Sequence, residues 1–432
     1  MLRTAKLSIF GSTVLASLLA MASCEGPEGP AGPAGAPGAP ALPGTPGNGT
    51  PGTVGPAGVA PEGGLAVGCM TPCHGFNGIV EQWKTSTHFL AQLANTEEVP
   101  IWTGPASCGG CHASDGLPRR LAGTVKANGT GPTNTKLGQL NYLDGVAVRE
   151  ATYSGQSSIA SIGCATCHDT GATSDPHITG GIYVAGSFKL RTPSGPNDQM
   201  YLEKSPTVGV VTGMPAGKWG VSNTCVGCHK SRRDVTQYIT ASTNITSIHW
   251  GPHQGPHADI FSGLGGYSFP GKTYKNSTHQ SLAGCSSCHM GKAPENGGMP
   301  DHSMRVTLKT CQTAACHVGT TTFDVLGGQG TVRAALSELR GLLNDAGYLT
   351  RSEVAPYDAL AVAALADTSF ELDKTRPSAG LTADQAGALY DYLLVARGSA
   401  SGVHNPAYTK QLVYDAVFAL KGAAPAAIPS RP

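Results

Sequence analysis

The chain has 432 residues, with 29 Lys and Arg against 28 Asp and Glu and a formal net charge of +1. Near-neutral charge supplies no electrostatic footprint for nucleic acid. Aromatics at 6%, charged residues at 13%, and 59 Gly with 31 Pro leave little material for a conventional side-chain core, so something else must fill the interior.

Residues 1–23 read as an export signal. Arg3 and Lys6 give the positive start, and Leu7 to Ala20 form an apolar run too short for a permanent membrane span. Met21-Ala22-Ser23-Cys24 resembles the lipobox of bacterial lipoproteins, in which the cysteine becomes the lipidated first residue. Met21 stands where Leu is usual, so ordinary cleavage is the alternative. Lipidation at Cys24 implies an exported protein held at the outer membrane, on its periplasmic or cell-surface face.

Residues 24–66 form a Gly/Pro-rich, collagen-like spacer. Glycine recurs every third residue from Gly26 to Gly38, is broken at Ala41, resumes at Gly44 and Gly47, and shifts frame at Gly52, Gly55 and Gly58. An unbroken frame would wind three chains together. The broken one favours a polyproline-like tether, reaching ~120 Å for forty residues at ~3.1 Å each.

Residues 67–325 carry the chemistry. Four strict pairs end in histidine: Cys108-Gly-Gly-Cys111-His112, Cys164-Ala-Thr-Cys167-His168, Cys225-Val-Gly-Cys228-His229 and Cys285-Ser-Ser-Cys288-His289. Two are wider, Cys69-Met-Thr-Pro-Cys73-His74 and Cys311-Gln-Thr-Ala-Ala-Cys316-His317. Two thiols at this spacing add across the vinyl groups of a haem, and the adjoining histidine binds its iron. A lone CxxC also suits a redox dithiol or half a zinc site. Repetition, with histidine after every pair, selects c-type haem. For the wider pairs the alternative is a short disulfide loop. Six pairs use twelve of the 13 cysteines and leave Cys24 for lipid. The expectation is six haem c groups with His74, His112, His168, His229, His289 and His317 as proximal ligands. At about 40 residues per haem the groups must share one body.

Within this region Ile79, Val80, Trp83, Leu90 and Leu93 predict a helix that includes His88. Segments 181–185 and 208–211 are candidate strands. Residues 326–432 lack cysteine and predict three or four helices packed on the haem body. Val332, Leu336, Leu339 and Leu343 share one helical face; Thr382 and Gln385 form a capping box; Asn405-Pro406 starts a helix that Gly422 ends. The fold class is mainly α with much irregular loop, organised around stacked haems.

Of 14 histidines, 14 − 6 = 8 lie outside the motifs. His88, His177, His249, His253, His279, His302 and His404 are the candidate distal ligands. In the cluster His249, His253, His257 at least one is surplus, and the ranking is His253, then His249, then His257. Lys84-Thr-Ser-Thr-His88 and Lys275-Asn-Ser-Thr-His279 share a pattern that predicts one local geometry used twice. Met290, Met299 and Met304 are alternative ligands, though packing is the commoner use of Met.

NSTHQSLAGCSSCHM with DHSM, and HNPAYTKQLVYDA near the end, are similar to segments of the superfamily that contains pentahaem nitrite reductase and octahaem hydroxylamine oxidoreductase. That resemblance implies closely stacked haem pairs in a largely helical frame. The CxxCK motif frequent at the reductases' catalytic haem does not occur in this chain. Histidine on both faces of every iron predicts an electron carrier without a catalytic residue of its own. It would pass electrons from a membrane or periplasmic donor to a partner protein or an external acceptor. The alternative is a multihaem oxidoreductase of nitrite, hydroxylamine or a sulfur compound with one open haem. Assembly as a trimer or filament is a further alternative.

Overall fold

The computed structural model describes residues 78–89, 109–112, 116–121, 162–169, 188–192, 202, 220–231, 235–248, 250–292, 299–312, 316–350 and 373–432. The export signal, the spacer, Cys24, Cys69, Cys73, His74, Cys108, His177, His249 and both candidate strands lie outside the described residues. All the described residues belong to one unit, Gly58–Pro432.

Helices dominate. Among the short ones are α1 (Ile79–Lys84), α2 (Gly109–His112), α3 (Cys164–Cys167), α4 (Asn223–Val226), α5 (His257–Ser262), α6 (Thr278–Leu282), α7 (Cys285–His289) and α8 (Leu308–Cys311). Three long ones follow: α9 (Gly328–Asp345), α10 (Ala383–Arg397) and α11 (Pro406–Lys421). Strand structure among the described residues is limited to two-stranded antiparallel ribbons. These pair β1 (His168–Asp169) with β2 (Lys189–Leu190), β3 (Thr243–Ile245) with β6 (Ser378–Leu381), and β4 (Leu349–Thr350) with β5 (Lys374–Thr375).

The long helices follow the sequence pattern. Val332, Leu336, Leu339 and Leu343 are buried on α9. Thr382 caps α10: its Oγ1 accepts from the Gln385 N–H at 3.3 Å, while the Thr382 N–H donates to Gln385 Oε1 at 3.0 Å. Asn405 caps α11, Pro406 occupies its first turn, and Gly422 ends it at φ 70°. Leu389, Tyr390, Leu393 and Val413 join Trp250, Phe269 and Leu349 in one apolar cluster, so the C-terminal helices and the motif region share a core. Arg340 pairs with Asp373 at 2.6 Å inside it, and Asp373 also accepts from the Tyr392 hydroxyl. No helix among the described residues is long and apolar enough to cross a membrane.

The helix expected through His88 is interrupted. α1 stops at Lys84, because the Thr85 hydroxyl donates to the Gln82 carbonyl at 2.8 Å and competes with the ladder. Ser86 then starts a new turn, its Oγ accepting from the Phe89 N–H at 3.4 Å. His88 stands on that second turn. His279 stands likewise just after Ser277, the N-cap of α6. The shared Ser-Thr-His pattern therefore places a serine before a helical turn and a histidine on it in both cases.

Candidate haem-binding sites

Side chains three and four apart lie on one face of a helix. The strict motifs use this: Cys164 and Cys167 are the ends of α3, and Cys285, Cys288 and His289 all lie on α7. In the Cys225 motif the His229 N–H donates to the Cys225 carbonyl at 2.9 Å. In the widened Cys311 motif α8 ends, yet the His317 N–H still donates to the Cys311 carbonyl at 3.1 Å. The histidine thus stands beside the first cysteine, as it does in the Cys225 motif. No disulfide joins any of the nine described cysteines, Cys311 and Cys316 included.

The imidazoles are held in one tautomer. A carbonyl or thioether can only accept, so a ring nitrogen bonded to one must carry the proton. Nδ1 of His168 donates to the Phe188 carbonyl at 2.9 Å, and that of His289 to the Met304 carbonyl at 3.0 Å. His253, His279 and His302 donate likewise to the carbonyls of Gln254, Val403 and Pro300, at 2.8, 2.6 and 2.9 Å. Nδ1 of His88 meets Met304 Sδ at 2.7 Å. In its neutral form each of these six rings offers Nε2 to a metal, and such second bonds orient metal-ligating histidines generally.

Two imidazoles trans on one metal, each bound at about 2 Å, have ring centres about 6 Å apart. Five motif histidines each face a distant histidine at that separation. His112 pairs with His253 at 6.2 Å, His168 with His302 at 6.3 Å, and His229 with His88 at 5.9 Å. His289 pairs with His404 at 6.3 Å, and His317 with His279 at 5.9 Å. Among the described residues no three His, Cys, Asp or Glu side chains converge as a structural zinc site requires. The donor set therefore fits haem: paired thiols and a histidine on one side, a single histidine on the other.

Burial favours the neutral form, the one that binds a metal, in several of these rings. It lowers His88, His168 and His302, and it holds His229 well below the usual imidazole range. Burial, reinforced by neighbouring imidazoles, brings His404 down to about 3. His404 Nδ1 has no hydrogen-bond partner.

His257, ranked last of its cluster as a ligand, is not among these pairs. It stands at the start of α5, stacked on His229 at 5.1 Å and 5.1 Å from His404, and burial brings it down to about 3. It closes a repeat, Gly251-Pro252-His253 followed by Gly255-Pro256-His257. Arg397 fixes this loop on α10, its Nη1 donating to the carbonyls of Trp250 at 3.2 Å and Pro252 at 2.6 Å. Gly255 has φ +74° and donates to the Arg397 carbonyl at 2.9 Å, a turn that L side chains resist.

Neighbouring motifs touch. Thr192, just after β2, hydrogen-bonds Thr224 of α4 at 2.5 Å, linking the Cys164 and Cys225 motifs. The Ser222 hydroxyl accepts from the Ser286 N–H at 3.3 Å, linking the Cys225 and Cys285 motifs. The Cys225 and Cys285 thiols are neighbours; that contact, with burial, pushes Cys225 well above the usual thiol range. A Cβ on Gly291 would lie 2.3 Å from Thr310 of α8, so the Cys285 and Cys311 motifs pack closely.

No protein-family model matches the chain, and no curated protein matches it. Among solved structures it is similar to the crystal structure of the outer cell wall cytochrome OcwA, at 16% identity and a TM-score of 0.40, over 80% of this chain and 50% of that one. The chain thus spans about half the length of that protein, and the likeness is too distant to carry an assignment of fold or function.

Proposed function

We propose that the chain is a multihaem c-type cytochrome that conducts electrons through six covalently attached haems. The observation that carries this reading is the pairing of five motif histidines with five distant ones at ring-centre separations of 5.9–6.3 Å. Bound haem supplies one-electron exchange at iron. The chain's own residues do the rest. The paired thiols would fix each group, the paired imidazoles would hold its iron, and backbone carbonyls orient five of the rings. Ligands locked this way move little when charge changes. Two histidines also favour a lower potential than a histidine–methionine pair, which raises it.

The thiol contact between Cys225 and Cys285 makes groups attached there neighbours, and the Thr192–Thr224 and Gly291–Thr310 contacts extend the series. Haems held at 164, 225, 285 and 311 would in that order form a route for electrons. His74 completes the motif set, with His177 and His249 as its remaining candidate partners. Cys24 as a lipid anchor and residues 24–66 as a tether would hold this wire clear of the outer membrane, on its periplasmic or cell-surface face, toward a partner protein or an external acceptor.

The test is a pyridine haemochrome assay against protein mass, joined to an EPR spectrum of the oxidised, matured protein. Six haems per chain, all low-spin, are expected. A colourless protein sinks the reading. A high-spin component that binds cyanide or nitrite would move it to an oxidoreductase with one open site.

A further inference from the structure

Met304 touches two of the proposed iron ligands at once. Its carbonyl accepts from His289 Nδ1 at 3.0 Å, and its sulfur lies 2.7 Å from His88 Nδ1. These two rings belong to different motifs: His289 is proximal in its own, while His88 faces His229. Met304 itself has φ 57°, the left-handed region that a methionine rarely adopts. Its flanks are pinned: the His302 N–H donates to Gln82 Oε1 at 2.9 Å, and Arg305 Nη2 donates to the Thr85 carbonyl at 3.0 Å. The strained backbone is what aims the carbonyl at one ring while the side chain reaches the other.

Among the rings whose Nδ1 partner is visible, His88 alone uses sulfur; His168, His253, His279, His289 and His302 use backbone carbonyls. A thioether is a weak acceptor and draws the Nδ1 proton less than a carbonyl does. The ring it holds is therefore a weaker electron donor to iron, because second bonds raise ligand basicity in proportion to their strength.

We propose that Met304 is a positioning residue shared by two haem sites. Its thioether sets the haem at Cys225–Cys228 to a higher reduction potential than a carbonyl-held His88 would give. Its carbonyl orients the ligand of the haem at Cys285–Cys288. This rests on the reading of the motifs as haem sites. It excludes Met304 as an iron ligand, since its sulfur is engaged at the far nitrogen of His88.

The test is a potentiometric titration of the holoprotein, followed by absorbance and EPR, for wild type, Met304→Leu, Met304→Gln and Met304→Gly. The relevant component is the one that His88→Ala converts to high spin. Leu keeps the volume and removes the acceptor, so that component should shift to higher potential. Gln offers a stronger acceptor and should shift it lower. Gly accepts the left-handed backbone and keeps the carbonyl, so it should reproduce the Leu shift even if Leu or Gln impairs maturation. Components that stay unmoved in every variant that matures, or that all move equally, would overturn the proposal. Absence of haem in the wild type would instead remove the reading beneath it.

Discussion

Asn405 and Ser277 stand 128 residues apart, and the Ser277 N–H donates to Asn405 Oδ1 at 2.9 Å. The same carboxamide donates from Nδ2 to the carbonyls of Ile260 and Phe261, both at 3.2 Å, and to Asn276 Oδ1 at 2.8 Å. Oδ1 also caps α11 through the Tyr408 N–H. One fully buried side chain thus joins the segment before His279 to the one after His404, and Gln411 adds two bonds to the Lys275 backbone. Asn405→Ala should destabilise the holoprotein by about 2–4 kcal/mol, from one lost cap and several stranded polar groups. Denaturant titration checks the value. Asn405→Asp should recover part of it, since the carboxylate still accepts from Ser277 and Tyr408.

The pairing scheme makes a separate prediction for each ring. His302→Ala should leave the number of haems unchanged and turn one low-spin centre high-spin, because the thioethers still hold the group facing His168. His253→Ala and His404→Ala should each do the same. His257→Ala should not, since His229 already faces His88 at the axial separation. EPR of the oxidised variants decides. A new high-spin signal from His257→Ala with none from His88→Ala would exchange those two assignments.

The parts of the architecture that depend on near neighbours were legible in the sequence. The apolar stripe of α9, the Thr382–Gln385 box and the Asn405-Pro406 start all act within one or two turns, and the structure has each of them. Motif histidines are equally local. Partner choice is not: nothing near His253 announces His112, and nothing near His302 announces His168. The break between α1 and His88 shows a nearer competition. Apolar spacing favoured one long helix, but the hydroxyls of Thr85 and Ser86 could bond the backbone and did.

Asp391 offers a pH test away from the haem ligands. It is fully buried on α10; its Oδ1 accepts from the Tyr267 N–H at 2.7 Å, and Oδ2 has no partner. Burial, with the Asp415 charge adding to it, raises its carboxyl well above the ordinary value. The native state therefore holds a proton that the unfolded chain releases near pH ~4. Its contribution to stability is fully present below that pH and is lost as pH rises through the native value. Asp391→Asn keeps the acceptor for Tyr267 and carries no titration. It should be more stable than wild type at neutral pH, with the gain shrinking as pH falls toward 4. Denaturation midpoints at several pH values measure this. A constant difference across the range would mean that Asp391 is ionised in the fold.

The widened motif is the sharpest test of whether spacing or geometry defines these sites. The Cys311 pair breaks the strict spacing, yet the His317 N–H reaches the Cys311 carbonyl as His229 reaches Cys225. His279 waits opposite at 5.9 Å, its tautomer fixed by the Val403 carbonyl. A haem held here needs both thiols for attachment and both imidazoles for its spin state. Cys311→Ala with Cys316→Ala should remove one haem per chain, read by haemochrome assay and intact mass, and leave the other centres low-spin. His279→Ala should keep that haem and change only its spin. If the double cysteine variant retains the full haem mass, the wider spacing keeps the thiols beyond reach of the vinyl groups. His317 and His279 would then be a buried imidazole pair with no iron between them.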